Sequence, residues 1–289
     1  MTKQLLSKIE GCYSSMSKGH KRITDYITEN YDKAAFMTAA KLGDAVGVSE
    51  STVVRFASEL GFSGYPQLQK TLQEVVKSRL TSVQRMEAAG GEDMLEHAFS
   101  SDIDTIKATR ESISREAFNA SVEAINRAKH IYVLGVRSAA SLASFAAFYL
   151  NFVYDSVTLI EPAGTGEAFD QAFRINKDDV CIDDVCIAIS FPRYSKQTIN
   201  MLRFISDRGA TVISVTDSEN SPIAQFATHL LLARSSMVSF VDSLVAPLSL
   251  INALIAAAAS EKSGEVYSNL SSLENIWDEY QIYQTHEDE

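Results

Sequence analysis

The chain has 289 residues, which is enough for two domains with substantial cores. Its 46% hydrophobic and 22% charged residues are typical of a soluble globular protein and exclude a disordered chain. No uninterrupted apolar run is long enough to span a membrane, and the N-terminus has no apolar core of signal-peptide type. The three cysteines are odd in number and lack metal-ligand spacing: Cys12, Cys181 and Cys186. We therefore expect a cytoplasmic protein with no membrane association, metal or cofactor.

The charge is distributed unevenly along the chain. The formal net charge is −11, which disfavours DNA binding by the chain as a whole. Residues 1–85, however, hold 12 Lys and Arg against 8 Asp and Glu, whereas residues 86–289 hold 14 against 29. A basic segment of +4 therefore precedes an acidic one of −15, and this split favours a nucleic-acid-binding head on a separate body.

The N-terminal segment is predicted to be helical over residues 3–33. Ile23, Ile27 and Tyr31 recur one helical turn apart and form one apolar face. A cluster of basic residues stands at the start of this face: Lys18, His20, Lys21 and Arg22. This cluster either contacts DNA phosphates or forms a solvated turn.

A helix-turn-helix pattern follows. Thr38–Val46 is predicted to form a helix capped by Thr38, Gly47-Val48-Ser49 forms a tight connection, and Ser49 can cap a second helix. The buried stripe of the second helix is Val53, Phe56, Ala57 and Leu60. The opposite face carries Ser51, Thr52, Arg55, Ser58 and Glu59.

This second helix is the predicted DNA-reading element. In a helix-turn-helix it lies in the major groove, where short polar side chains allow close approach and arginine can pair with guanine or phosphate. Gly61 ends the helix, Gly64-Tyr65-Pro66 is predicted to be a turn, and Gln67–Lys77 a further helix. The predicted DNA contacts are Ser49, Ser51, Thr52, Arg55 and Lys70. A helical bundle without DNA-binding function would share this spacing.

The string VSESTVVRFASELGFSGY resembles the N-terminal domain of the RpiR/MurR family of bacterial transcriptional regulators. That family typically shows S-x-x-T-V-V-R-F-x-x-x-L-G-F-x-G-Y/F. The resemblance covers about residues 3–77. The matching positions are Ser49, Thr52, Val53, Val54, Arg55, Phe56, Leu60, Gly61, Phe62, Gly64 and Tyr65.

The C-terminal part alternates short apolar runs with helical segments, which predicts a parallel sheet covered on both faces. The small residues around Glu87–Glu92 predict a linker, and helical stripes follow it. The predicted domains are residues 1–77, a linker and connecting helix over 78–114, and an α/β domain over 115–289. The predicted strands are Ile131–Leu134, Ser156–Ile160, Val185–Ile189, Thr211–Val215 and His229–Leu232.

Ligands of such sheets bind beyond the carboxyl ends of the strands. Two of the loops there, Gly135–Ser141 and Ser190–Lys196, are rich in hydroxyls and precede helices, and they carry positive charge within an acidic domain. Hydroxyls, backbone N–H groups and helix N-termini together bind anions, so a phosphate-bearing ligand is predicted. Each serine alone could instead cap only its own helix.

This half resembles the SIS (sugar isomerase) domain that follows the DNA-binding domain in the same family. The resemblance covers about residues 115–265 and implies a flavodoxin-like five-stranded parallel sheet that binds phosphosugars. AISFPRYSKQTI is similar to the S-x-S-G-x-T/S phosphate loop, with Ser190 and Ser195 at its first and last hydroxyl positions and Pro192 and Arg193 replacing Ser and Gly.

The first loop departs from the G-x-G-x-S pattern of that resemblance. Gly135 is present, Arg137 stands at the second glycine, and the serine is either Ser138, which we prefer, or Ser141. Arg137 can supply by charge what a glycine loop supplies by backbone amides. The predicted effector contacts are Arg137, Ser138, Ser190, Arg193 and Ser195.

Three further features of the sequence are a short duplication and two predicted C-terminal helices. The unit Asp-Val-Cys-Ile occurs twice in Asp179–Ile187, and the first copy is expected in the loop before the central strand. Residues 240–262 predict a long apolar helix, either buried against the sheet or in a subunit contact, with Asp242 as its carboxylate. A polar helix is predicted over Gly264–Thr285.

The resemblance implies a regulator that is not an enzyme. It would bind double-stranded operator DNA as a homodimer or homotetramer and respond to a phosphosugar or similar effector. The alternative is a sugar-phosphate isomerase, which needs a base near the substrate. The phosphate loops contain no His or Glu, although Glu161 and Glu167 keep this alternative open.

Overall fold

The structure is a computed structural model that describes residues 13–77, 81–88, 93–160, 165–172, 175 and 183–283. It divides into two compact units. The first comprises Met1–Asp93 with Met237–Val241, and the second comprises Met94–Ser236 with Asp242–Glu289.

The first unit is helical. Its helices are α1 (Lys18–Glu29), α2 (Tyr31–Ala34), α3 (Ala39–Val46), α4 (Glu50–Glu59), α5 (Tyr65–Lys77) and α6 (Ser82–Ala88). Helices α1 to α5 enclose one apolar core, to which α1, α3 and α4 contribute Ile23, Leu42, Val53 and Phe56, all fully buried. These are the positions that recur at helical spacing in the sequence, so apolar burial determines which face of each helix turns inward.

Polar caps set the starts of these helices. The Oγ of Ser17, the Oγ1 of Thr38 and the Oγ of Ser49 each accept a backbone N–H three residues further on, at 3.2–3.3 Å. The helix α3 ends at Gly47, whose φ of +66° is a left-handed conformation that favours glycine. The predicted helix-turn-helix boundaries are therefore confirmed.

Other boundaries in this unit differ from the predictions. Within residues 3–33, predicted to be helical, the described part forms two helices: Ser17 caps the start of α1, and Asn30 separates α1 from α2. Residues 1–12 lie outside the described part. Tyr65 and Pro66 belong to α5 rather than to a turn, since proline is tolerated in the first turn of a helix. Helix α6 overlaps the first residues of the linker predicted around Glu87–Glu92.

The second unit is a doubly wound α/β domain. It begins with helices α7 (Met94–Ser112) and α8 (Arg115–Arg127). Its strands alternate with helices: β1 (His130–Gly135), α9 (Ala140–Leu150), β2 (Val157–Ile160), α10 (Thr165–Ala172), β3 (Asp184–Ile189), α11 (Lys196–Asp207), β4 (Thr211–Thr216) and β5 (His229–Leu232). The parallel sheet has the order β2-β1-β3-β4-β5. The predicted fold class and the strands are confirmed.

Alternate residues of the strands pack on opposite faces of the sheet. One face carries Ile131, Val133 and Ile187 against α8, α9 and a later helix, α12 (Val245–Glu261). The other face carries Tyr132 and Leu134 together with Cys186, against residues of α10 and α11. Burial on both faces explains why the strands are almost continuously apolar.

The long apolar helix predicted over residues 240–262 starts later than predicted, at Val245. Residues 236–243 form two two-residue strands, β6 (Ser236–Met237) and β7 (Asp242–Ser243), so Asp242 is not a helical residue. Helix α12 packs Leu250, Leu254 and Ala258 into the core, whereas Leu248 is partly exposed. The last helix, α13, is Ser263–Glu279.

The duplicated Asp-Val-Cys-Ile unit is described only in its second copy. Val185 and Cys186 are buried in β3, as predicted, whereas Cys12 and residues 179–182 lie outside the described residues. Burial raises the pKa of the Cys186 thiol to about 12, which keeps the thiol protonated at neutral pH. Within the described part of the chain, none of the helices combines the length and apolar composition needed to cross a bilayer.

Candidate DNA-binding and effector sites

The start of helix α4 carries a cluster of hydroxyls. The Oγ of Ser49 lies 2.9 Å from the Oγ of Ser51 and 2.8 Å from the Oγ1 of Thr52, in addition to capping the Thr52 N–H. Ser49 and Ser51 are exposed, whereas Thr52 is half-buried. These hydroxyls stand at the positive end of a helix, where a DNA phosphate or an acceptor on a base edge is favoured.

Arg55 extends from the exposed side of α4. Its Nε donates to the carbonyl oxygen of Ser51 at 3.3 Å, which orients the guanidinium along the helix towards its N-terminus. The two Nη groups carry further N–H donors, which bidentate pairing uses. Lys70 is exposed on α5. All five predicted DNA contacts therefore have side chains at the surface or half-buried at it.

The sequence interpretation missed one residue of the exposed side of α4. Val54 is 40% exposed, and the sequence interpretation assigned it neither to the buried stripe with Val53 nor to the exposed face. Helical geometry does separate them, because successive residues are about 100° apart around the axis.

The basic cluster on α1 divides into buried and exposed members. The Arg22 Nη1 donates to the carbonyl oxygen of Gly47 at 3.1 Å, which ties α1 to the turn before α4. His20 is buried; its Nδ1 lies 2.8 Å from a carboxylate oxygen of Glu59, and its ring meets the Phe56 ring edge-on. His20 is thus neither a phosphate contact nor part of a solvated turn. Lys18 and Arg22 are exposed.

The candidate effector site lies at the carboxyl edge of the sheet. Gly135 at the end of β1 pairs with Ile189 at the end of β3, so the residues that follow both strands meet at this edge. Ser190 follows directly, is only 4% exposed, and donates its backbone N–H to the Val215 carbonyl oxygen at 3.1 Å. The first hydroxyl of the predicted phosphate loop is therefore held between two strand ends.

Arg137 has an unusual backbone conformation. Its φ is +57°, although it stands where the resembling family has glycine. This left-handed conformation costs a non-glycine residue roughly 1–2 kcal/mol. Gly135 is required for another reason: a Cβ there would lie 2.6 Å from the Ala139 carbonyl oxygen and 2.8 Å from the Ala143 Cβ. The loop thus keeps a glycine-type backbone while presenting an exposed arginine at the sheet edge.

The other predicted effector residues differ in exposure. Ser195 caps α11, with its Oγ accepting the Gln197 N–H at 3.2 Å, while Arg193 and Ser138 are exposed. The Oγ of Ser141 donates to the Ser138 carbonyl oxygen at 3.0 Å, so this alternative serine is used within its own helix start.

A tyrosine–aspartate pair at the same edge was missed by the sequence interpretation. The Tyr194 hydroxyl donates to Asp217 Oδ1 at 2.6 Å, which joins the loop after β3 to the residue after β4. Burial, and secondly the Asp217 carboxylate, raise the pKa of the Tyr194 hydroxyl well above its usual range. Nothing in the spacing of Tyr194 and Asp217 predicts this pair, because it depends on strand order.

A cleft of about 400 Å³ lies at the opposite, amino edge of the sheet. It is lined by residues of both charges, including Lys129, Asp155, Lys262 and Glu265. The described residues contain no group of three or more His, Cys, Asp or Glu side chains placed to hold a metal ion.

Two family descriptions match the chain. Residues 3–79 match "Helix-turn-helix domain, rpiR family", and residues 124–257 match "SIS domain". The chain is 27% identical over 239 residues to the transcriptional regulator GlvR of Bacillus subtilis, covering 83% of this chain and 87% of that protein. It is 24% identical over 233 residues to the transcriptional regulator HexR of Pseudomonas aeruginosa, covering 78% and 77%.

Solved structures show the same architecture. The Vibrio vulnificus NanR protein complexed with ManNAc-6P is 22% identical with a TM-score of 0.58, covering 96% of this chain and 98% of that one. The sugar isomerase domain of an RpiR transcription factor from Sphaerobacter thermophilus is 27% identical with a TM-score of 0.57, covering 64% and 99%.

A helix-turn-helix unit joined to a SIS α/β unit defines a DNA-binding transcriptional regulator. The chain belongs to the RpiR family of such regulators. Its curated relatives are transcriptional regulators and not enzymes, so the isomerase alternative has no support from them. Of the two carboxylates that kept it open, Glu161 lies outside the described residues and Glu167 is described only in its backbone, in α10.

Proposed function

We propose that this regulator binds an operator through helix α4 and that a phosphorylated sugar, bound at the carboxyl edge of the sheet, changes its affinity for that operator. The observation that carries the proposal is the pairing of a capped, arginine-bearing recognition helix with a cationic, hydroxyl-lined edge of a parallel sheet. Such a regulator works in the cytoplasm, where bacterial DNA is.

The DNA contacts proposed are Ser49, Ser51, Thr52, Arg55 and Lys70. Helix α4 presents the hydroxyls at its N-terminus, where they approach base edges, and Arg55 one turn later, where it pairs with guanine or phosphate. Lys70 on α5 is a phosphate contact, which positions the domain without reading sequence.

The effector contacts proposed are Arg137, Ser138, Ser190, Arg193 and Ser195. Arg137 and Arg193 neutralise the phosphate, while the serine hydroxyls and the N-terminus of α11 donate hydrogen bonds to its oxygens. NanR of Vibrio vulnificus binds ManNAc-6P, a sugar phosphate, on the same fold, and this supports the ligand class. The domain bounds proposed are residues 1–77, 78–114 and 115–289, whereas the compact units of the structure divide between Asp93 and Met94.

The regulator is proposed to act as a homodimer, since a palindromic operator needs two recognition helices. Helix α7 supports a contact between two copies. Its apolar stripe is exposed rather than buried: Leu95 is 70% exposed, Phe99 64% and Ile103 50%. These side chains recur one turn apart, so they form one continuous apolar face that a second copy of the chain can cover.

A gel shift tests the proposal. The full chain is titrated onto the DNA upstream of its own operon, with and without a panel of phosphosugars that includes ManNAc-6P. We expect a specific shift whose midpoint moves with one class of phosphosugar and not with the unphosphorylated sugar. A chain that gives no specific shift at any concentration is not an operator-binding regulator.

A further inference from the structure

Helix α4 presents one apolar side chain on its exposed side. Val54 is 40% exposed, whereas Val53 and Phe56 on the same helix are fully buried. At about 100° per residue, Val54 lies on the side that also carries Ser51, Arg55 and Ser58, opposite the core stripe. The methyl groups of Val54 are therefore at the surface that faces DNA in a helix-turn-helix complex.

The hydroxyls on either side of Val54 are used within the helix. The Oγ of Ser58 donates to the Val54 carbonyl oxygen at 3.3 Å, and the Oγ of Ser51 is 2.9 Å from the Oγ of Ser49. The apolar part of this surface is thus the Val54 side chain, and the Arg55 guanidinium is directed towards the N-terminus of the helix. The exposed side of α4 is therefore apolar at Val54 and cationic towards the N-terminus of the helix.

The major groove offers one apolar group for such a surface, the C5-methyl of thymine. We propose that Val54 is a specificity-determining residue, and that its methyl groups pack on the C5-methyl of one thymine in each operator half-site. The assignment rests on the proposed binding of DNA through α4. It adds a base preference that the polar residues of the helix do not supply.

Deoxyuridine tests the contact directly, because it removes only the C5-methyl of thymine and leaves base pairing intact. Operator duplexes are first recovered by selection of randomised DNA on the full chain. Each thymine of the half-site is then replaced by deoxyuridine, symmetrically, and affinity is measured by fluorescence anisotropy for the wild type, Val54→Ala and Val83→Ala. Alanine is the stronger helix former, so Val54→Ala keeps α4 folded.

The expected result is a loss at one thymine position. Removing one buried methyl costs about fourfold in affinity, so two half-sites together give about fifteenfold for the wild type. The same replacement leaves the affinity of Val54→Ala unchanged. Val83 is 66% exposed on α6, and Val83→Ala retains the full penalty of the wild type.

Two outcomes overturn the assignment. Either no deoxyuridine replacement weakens the wild type, or the penalty persists unchanged in Val54→Ala. In both cases specific binding to the selected operator still supports the proposed function. If the wild-type chain selects no specific sequence, the proposed function fails and the assignment of Val54 fails with it.

Discussion

At the scale of single residues, two arginines carry the chemistry proposed for the two units. Arg55 is held by one backbone contact on an exposed helix face, and Arg137 occupies a left-handed backbone position at a sheet edge. The sequence predicted Arg55 as a DNA contact and Arg137 as an effector contact. Their conformations were not predictable, because the Arg55–Ser51 bond and the φ of Arg137 depend on how the chain folds around them.

Replacement of Arg55 by alanine removes the only long cationic side chain predicted on the exposed face of α4. We expect operator affinity to fall by about 1–3 kcal/mol, with relaxed preference at the base pair that Arg55 contacts. Anisotropy titration against the operator and its single-base variants measures both effects. Lys70→Ala is the matched comparison: it lowers affinity for all sequences and reduces the slope of log K against log salt by about 0.9. An unchanged operator affinity in Arg55→Ala would mean that the recognition face is elsewhere.

Replacement of Arg137 by glycine separates backbone strain from ligand binding. Glycine accepts a φ of +57° freely, so the free energy of unfolding should rise by about 1 kcal/mol or remain unchanged. Effector affinity should nevertheless fall at least tenfold, because one phosphate-pairing charge is lost.

Chemical denaturation and calorimetric titration with the effector measure these two quantities for Arg137→Gly. The control is Arg203→Gln on α11, an exposed arginine outside the loops, whose loss changes net charge equally. Retention of wild-type effector affinity by Arg137→Gly would exclude Arg137 from the site.

At the scale of elements, helix caps and the strand pattern were predictable because they depend on local sequence. Ser49 was predicted to cap α4 and does so, and His229–Leu232 forms β5 as predicted. The helix predicted over residues 240–262 was wrong in its first five residues, which are not helical. Asp242 and Ser243 pair as β7, and helix α12 begins at Val245, which hydrophobicity alone does not reveal.

The turn between α3 and α4 provides a test at this scale. Gly47→Ala places a Cβ at a φ of +66° and within 2.5 Å of the Arg22 Nη2, so Arg22 must move and its bond to the Gly47 carbonyl weakens. We expect a loss of about 1–2 kcal/mol in the free energy of unfolding of the N-terminal unit and weaker operator binding.

Gly264→Ala is the matched control for this substitution. A Cβ on Gly264 has nothing within 4 Å, and the residue lies in α13, so stability should remain the same or rise by up to about 1 kcal/mol. Thermal unfolding measures both variants. Equal effects of the two substitutions would contradict the proposed role of the Gly47 turn.

At the scale of the whole molecule, charge and family resemblance predicted a basic helical unit before an acidic α/β unit, and the structure divides accordingly into two compact units. The exposure of the α7 stripe was not predictable. An apolar helical pattern is the same whether the chain buries it alone or leaves it exposed for a second copy. Phe99 is 64% exposed, which is the arrangement that the proposed dimer requires.

The proposed dimer is tested by a charge on that stripe. Phe99→Glu should shift the sedimentation coefficient from that of a dimer to that of a monomer, because a carboxylate cannot be buried unpaired in an apolar contact. Tyr267→Glu on α13, 76% exposed, should leave the assembly unchanged. A Phe99→Glu chain that sediments as the wild type does would assign the subunit contact to another surface.

The coupling between the two units is the central claim, and one titration of DNA affinity against effector tests it most directly. In the wild type, a saturating phosphosugar should change operator affinity at least about fivefold, the usual scale of allosteric coupling. Ser190→Ala should bind the operator as the wild type does but show no change with effector, whereas Ser272→Ala on α13 should respond fully. Equal loss of operator affinity and effector response in Ser190→Ala would contradict the assignment of sensing to the sheet edge and of DNA reading to α4.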